Sequence, residues 1–179
     1  MNDHKTFGKA EKIYNDGEIP LVIGHYVICN HRNKAQNLHP KITIHGLGSC
    51  IALILFDKTN KVGGMSHILL PKANPNKKIT YPHKYADLSV QHLVRDLIDH
   101  GANKKNIKAI LVGGSKIFEF DENIIGLDNA TATKEELNKL QIEIVKEHLG
   151  GIKGRSVVFD SRDFSVKVKK IGEEHFIKL

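Results

Sequence analysis

Apolar residues in this chain come in short bursts separated by polar loops, a pattern richer in strands than in helices. Leu21 to Cys29 (LVIGHYVIC) has enough β-branched residues for a strand, and residues 30–40 then read as a polar loop closed by Pro40. Lys41 to His45 (KITIH) predicts a second strand running into Gly46-Leu47-Gly48-Ser49-Cys50. The apolar run Ile51–Phe56 fits either a buried strand or the first turns of a buried helix. After a turn at 57–60, residues 62–70 predict another strand, closed by Pro71, and 72–83 an exposed loop. Between Tyr85 and His100 the apolar positions 88, 90, 93, 94, 97 and 98 form a helical stripe, with Gly101 placed as its C-terminal cap. A strand is expected at 107–112 and a second helix from about Asn129 to Leu140, capped by Thr131 or Thr133. A strand at 142–145 and a hairpin of 156–159 with 164–168 complete the pattern.

The fold class expected is α+β, in an α/β layered form. Mixed β-sheets would pack as a sandwich, with two principal helices on the outside. Residues 1–20 are polar without a clear period and read as a loose or lightly docked N-terminal arm. Residues 21–172 then form a single domain and 173–179 a C-terminal tail.

Composition narrows the functional classes. At 179 residues, with 40% hydrophobic and 26% charged positions, the chain suits one globular domain with a proper core. No apolar run is long enough to span a bilayer and the first residues lack a signal-peptide core, so a cytoplasmic protein without direct membrane insertion is expected. The formal charge of +7 admits an acidic partner, but the lysines are scattered and equally serve to wet the surface. No basic motif is interleaved with aromatics, so nucleic acid is not an expected partner. With two cysteines, Cys29 and Cys50, and no CxxC pair, neither a disulfide framework nor a cysteine zinc site is expected, and a reactive thiol is left open.

Cys50 follows a glycine-rich turn. Such a turn presents backbone N–H groups around a nucleophile and leaves a carbonyl substrate room to approach. Free cysteine is only about 3% thiolate at pH 7, so a catalytic one needs a helper, usually histidine. Among 11 histidines, His67 stands out because it lies within the apolar run GGMSHILLP. Taken alone, each residue also has a plain reading: Cys50 as an inert buried thiol, His67 as a satisfied core side chain.

The chain resembles the CheD family of chemoreceptor glutamine deamidases, on seven blocks in family order. These are GHYVI (24–28), GLGSCIALILFD (46–57), GGMSHILLP (63–71), KYAD (84–87), LVGGSKIF (111–118), IG (125–126) and HLGGIKGRSVVFDS (148–161). The resemblance implies a protein-glutamine glutaminase of bacterial or archaeal chemotaxis, with Cys50 as nucleophile and His67 as catalytic histidine. Gly48 and Ser49 belong to the oxyanion turn, and neither cofactor nor metal is implied. The partners implied are the cytoplasmic helical bundle of methyl-accepting chemoreceptors and a CheC-type phosphatase. One position departs from the family. Its catalytic threonine lies six residues before the cysteine, where this chain has Ile44, and Thr43 comes one residue earlier, on the opposite face of a regular strand. The expectation is that an irregularity just before Gly46 turns the Thr43 hydroxyl toward His67. Otherwise His45, Ser66 or Ser115 orients the ring, or the site works with two groups. The departure also keeps open a largely non-catalytic adaptor that binds receptor and phosphatase.

Overall fold

The computed structural model describes residues 17–31, 39–116 and 125–179. Among them are ten strands, forming two five-stranded mixed sheets, and two α-helices. Sheet one has the order β1 (Glu18–Pro20), β3 (Lys41–Leu47), β8 (Arg155–Asp160), β9 (Ser165–Lys170), β10 (Ile177–Lys178). Sheet two runs β2 (Tyr26–Asn30), β5 (Val62–Ile68), β4 (Ile51–Asp57), β6 (Lys108–Gly113), β7 (Glu143–Leu149). The pairs β1–β3 and β6–β7 are parallel and all others antiparallel.

The sheets pack face to face. Ile42, Ile44, Val157, Phe159, Val166 and Val168 of sheet one meet Ala52, Ile54, Phe56, Met65, Ile110 and Val112 of sheet two in one core. A second core lies on the other face of sheet two, where Ile51, Leu53, Leu55 and Leu111 meet helices α1 (Ala86–Asp99) and α2 (Ile125–Lys139). Both helices therefore cover the same sheet. This settles the reading of Ile51–Phe56. Central in sheet two and covered on both faces, β4 is buried at every position, which is why its sequence is apolar without alternation. Strands β8 and β9 have one face toward solvent and alternate, with Val166 and Val168 buried and Lys167 exposed.

Several boundaries differ from expectation. Leu21–His25 is a turn rather than strand, and β2 begins at Tyr26. Glu18–Pro20, within the segment read as an arm, pairs with β3, and Ile177–Lys178 of the tail pairs with β9; the arm's residues 1–16 lie outside the described residues. Helix α2 starts four residues before Asn129, so Thr131 and Thr133 are interior rather than caps, and the Thr133 hydroxyl donates to the Asn129 carbonyl at 2.7 Å. Gly101 does follow α1 with φ +99°, as a helix-ending glycine should. No helix among the described residues is long and apolar enough to cross a membrane.

Candidate active site

The chain passes from sheet one to sheet two through Gly48-Ser49-Cys50, between β3 and β4, so Cys50 lies on the seam of the sandwich. Strand β3 is regular through Ile44, opposite Val157, and then bulges, so that Leu47 comes to face Arg155. Gly46 takes φ +69° inside this bulge.

Every carbonyl of the crossing is tied into the protein. Gly48 O accepts from the N–H of Ser115 at 2.9 Å, Ser49 O from Nδ2 of Asn129 at 3.0 Å, and Cys50 O from the N–H of Gly114 at 2.9 Å. In a trans peptide the N–H points away from its carbonyl. The amides of Ser49 and Cys50 consequently face the other way, and neither has a backbone acceptor among the described residues. Amides left without a backbone acceptor next to a thiol are the donors that an oxyanion hole needs.

The frame around the crossing is tight. A Cβ on Gly113, whose φ is +124°, would stand 2.1 Å from the Cys50 carbonyl oxygen, so β6 approaches the crossing as only glycine allows. Ser115 is secured in turn: its hydroxyl donates to Lys153 O at 2.8 Å and accepts from the buried Arg155 guanidinium at 2.6 Å. Arg155 also donates to the carbonyls of His148 and Gly150. Asn129, fully buried on α2, donates a second hydrogen bond to Leu69 O at 2.9 Å, just beyond the end of β5. Its amide thus joins the crossing to the strand that carries His67.

His67 pairs with Ala52 across β4–β5 and shares with it the face turned toward sheet one. Cys50 precedes Ala52 by two and belongs to the same inter-sheet core, so it lies diagonally across from His67. Such diagonals are spaced about 7–8 Å, and no hydrogen bond among the described residues joins the Cys50 thiol to the His67 ring. The ring is held by Leu21, whose carbonyl oxygen lies 3.1 Å from Nδ1. A carbonyl only accepts, so Nδ1 carries the proton and Nε2 keeps its lone pair. The main chain of the 21–25 turn clamps the same residue, with Gly24 N–H donating to His67 O and His67 N–H to His25 O.

The expected bond from Thr43 to His67 is not formed among the described residues. Ile42 and Ile44 on either side of Thr43 enter the inter-sheet core, so its side chain points to the other face of sheet one, and the bulge begins too late to reverse it. What Thr43 supplies is main chain: its carbonyl accepts the N–H of Leu21 at 2.8 Å and so holds the residue that holds His67. The other candidate orienters are engaged elsewhere, His45 with Ser156, Ser66 with Ser89, and Ser115 as above. Leu21, Asn129, Gly113 and Arg155 escaped the sequence reading. Only the glycines of LVGGS hinted at a close backbone approach.

Burial governs the ionisation of the pair. It pushes the Cys50 thiol up, opposed by the N–H of its own residue, and pushes His67 down, opposed by the Leu21 carbonyl. At neutral pH the site therefore rests as thiol and neutral imidazole. Cys29 is buried more completely, and desolvation raises its pKa to about 11. Among the described residues no three His, Cys, Asp or Glu side chains are placed to hold a metal ion.

Fold and site together define an α+β sandwich with a buried thiol and a neutral histidine on the seam between its sheets. The chain belongs to the CheD family. The family model described as CheD chemotactic sensory transduction matches residues 69–170. The chain is also similar to three proteins named probable chemoreceptor glutamine deamidase CheD. That of Clostridium kluyveri is 41% identical over 144 residues, covering 78% of this chain and 88% of the relative. That of Clostridium acetobutylicum is 37% identical over 144 residues, covering 78% and 86%. That of Clostridium botulinum strain Hall is 40% identical over 144 residues, covering 78% and 88%.

Proposed function

We propose that this chain is a chemoreceptor glutamine deamidase, converting glutamine side chains of methyl-accepting receptors to glutamate and ammonia through a thioester on Cys50. The observation that carries this reading is the crossing itself: its carbonyls are tied inward, which leaves the Ser49 and Cys50 amides without backbone acceptors among the described residues, and His67 lies on the neighbouring strand diagonal to Cys50.

The reaction begins when Nε2 of His67 takes the thiol proton as sulfur attacks the carboxamide carbon. The carbonyl π electrons move to oxygen, where the N–H groups of Ser49 and Cys50 receive them, with Gly48 leaving the approach open. One such donor is typically worth about 10²–10³ in rate. The proton on Nε2 passes to the leaving nitrogen, the C–N bond breaks, and ammonia departs from a thioester. Water then attacks the thioester carbon, giving its proton to Nε2. The C–S bond breaks, glutamate leaves, and sulfur recovers its proton. General acid–base help of this kind contributes about 10²–10⁴. Because thiol and imidazole are both neutral at rest, forming the C–S bond requires His67 to accept the thiol proton.

In this reading Leu21 orients the base and Thr43 acts through its carbonyl. The protein works in the cytoplasm, where the receptor bundle lies, and a CheC-type phosphatase is its second partner. The catalytic domain is residues 21–172 together with the flanking strands Glu18–Pro20 and Ile177–Lys178. The test is mass spectrometry of a receptor fragment co-expressed with the chain or with its Cys50→Ala variant. Conversion of glutamine to glutamate by the first alone supports the reading. Ile44, an alkyl side chain facing the inter-sheet core at the family's threonine position, favours a second reading as a binding adaptor. Receptor binding without ammonia release would establish that alternative.

A further inference from the structure

Beside His67 the surface turns apolar. Val22 (58% exposed), Ile23 (46%), Ile79 (37%) and Tyr81 (52%) all present large hydrophobic side chains to solvent. Two segments carry them, and the segments touch at Gly24 and Tyr81. The Val22–His25 turn is closed by a hydrogen bond from His25 N–H to Val22 O, and Gly24 within it abuts the second segment, a Cβ there lying 3.2 Å from Cβ of Tyr81 and 3.4 Å from Cβ of Lys84. The rings of His25 and Tyr81 lie 5.3 Å apart. The loop before Tyr81 is anchored, since the Asp87 carboxylate accepts the N–H of Ala73 at 3.1 Å.

The turn is continuous with the proposed catalytic pair. Leu21, next to Val22, holds the imidazole, and Gly24 and His25 hold the backbone of His67. Val22 and Ile23 therefore lie on the turn that is tied directly to His67. The segment that carries Ile79 and Tyr81 is basic: Lys72, Lys77, Lys78 and Lys84 lie in a stretch, 71–84, that contains no acidic residue, and Lys84 lies against the Gly24 turn. An apolar centre with a one-sign border fits an amphipathic helix whose apolar stripe is edged by Asp and Glu.

We infer that Val22, Ile23, Ile79 and Tyr81, with their lysine border, form the docking surface for the receptor helix that carries the target glutamine. This rests on the deamidase reading of the neighbouring site. The partner's apolar residues at i, i+3 and i+4 cover the patch while its carboxylates pair with Lys77, Lys78 and Lys84.

The experiment titrates the full-length chain, with Cys50→Ala to stop turnover, against a helical receptor fragment at low and high salt. Ile79→Ser combined with Tyr81→Ala should weaken binding by at least about tenfold, as loss of a central apolar anchor does. Lys77→Glu with Lys78→Glu should weaken it at low salt and flatten the salt dependence. With Cys50 restored, iodoacetamide should alkylate it in both variants at the unsubstituted rate, showing the fold intact. Equal binding by all forms overturns the inference, as does failure of the unsubstituted surface to bind. So does a loss of self-association, seen by sedimentation, with receptor affinity unchanged. A chain that binds through this surface yet releases no ammonia counts against the deamidase reading alone.

Discussion

Nδ1 of His67 lies 3.1 Å from the carbonyl oxygen of Leu21, a residue 46 positions away in the chain. In the proposed cysteine–histidine pair the imidazole must be held in one tautomer, and a main-chain oxygen would do what a side-chain hydroxyl or carboxylate does elsewhere. The arrangement costs no side chain at the threonine position, so Ile44 is free to pack.

Thr43→Val tests this directly. The substitution removes the hydroxyl but leaves the carbonyl that receives the Leu21 N–H. Receptor deamidation should stay within about threefold of the starting rate, since no interaction with the reacting groups is lost. A hundredfold loss in kcat with normal folding would return the orienting role to the hydroxyl.

The pH profile follows from burial. His67 lies below its usual pKa of 6.5, so the ring remains a neutral base as pH falls past that value. The acid limb of kcat/KM should accordingly have its midpoint below 6.5. Stability carries the same sign. The unfolded chain takes a proton near 6.5 that the folded chain refuses, so the contribution of His67 is complete above that pH and shrinks as pH falls toward the folded value. A kinetic midpoint above about 7 would mean an acidic partner stabilises the imidazolium.

Iodoacetamide should label Cys50 well before Cys29, whose pKa of about 11 and deeper burial leave little thiolate. The Cys50 rate should climb with pH through the usual cysteine range, because burial raises its pKa too. Peptide mapping of the labelled protein reads both. Faster labelling of Cys29 would remove Cys50 from the nucleophile's role.

Asn129→Asp exchanges the Nδ2 donor for an oxygen facing the carbonyls of Ser49 and Leu69. The crossing and the end of β5 should lose their common tie. Turnover should fall by about a hundredfold, and denaturant unfolding should show a loss of about 2–4 kcal/mol, the scale for two buried acceptors left unpaired. Unchanged kcat in a destabilised variant would reduce Asn129 to a purely structural role.

Gly113→Ala places a methyl group where Cys50 O already stands, at a φ that alanine resists. A cost of about 3 kcal/mol is expected, together with near-complete loss of ammonia release, because the strain falls on the nucleophile's own peptide. Activity retained at reduced stability would show that β6 gives way instead of the crossing.

Much of the fold was legible because burial writes itself into sequence as period. The stripe of α1 and the alternation of β8 and β9 follow directly from which faces are covered. Ile51–Phe56 remained a strand or a helix because a segment buried on both faces has no period to read. Strands β1 and β10 were missed: EIP and IK carry no pattern of their own, and their order comes from the neighbours they pair with. The start of α2 was misplaced because Thr133, an apparent cap, spends its hydroxyl on a carbonyl within the helix. In the site, Cys50 and His67 stood out by residue type. Leu21 could not, since any residue offers a carbonyl and only the turn after β1 aims this one.

Leu21 is moored to sheet one through Thr43, while His67 rides on sheet two. The hydrogen bond between them therefore works as a gauge of how the two sheets sit on one another, and Cys50 reads the same gauge from the chain's crossing. A slip of the sheets by a fraction of an ångström, too small to unfold anything, shifts the ring relative to the crossing. Warming, or a partner pulling on sheet one, should for that reason silence the chemistry at a milder stress than it takes to melt the sandwich.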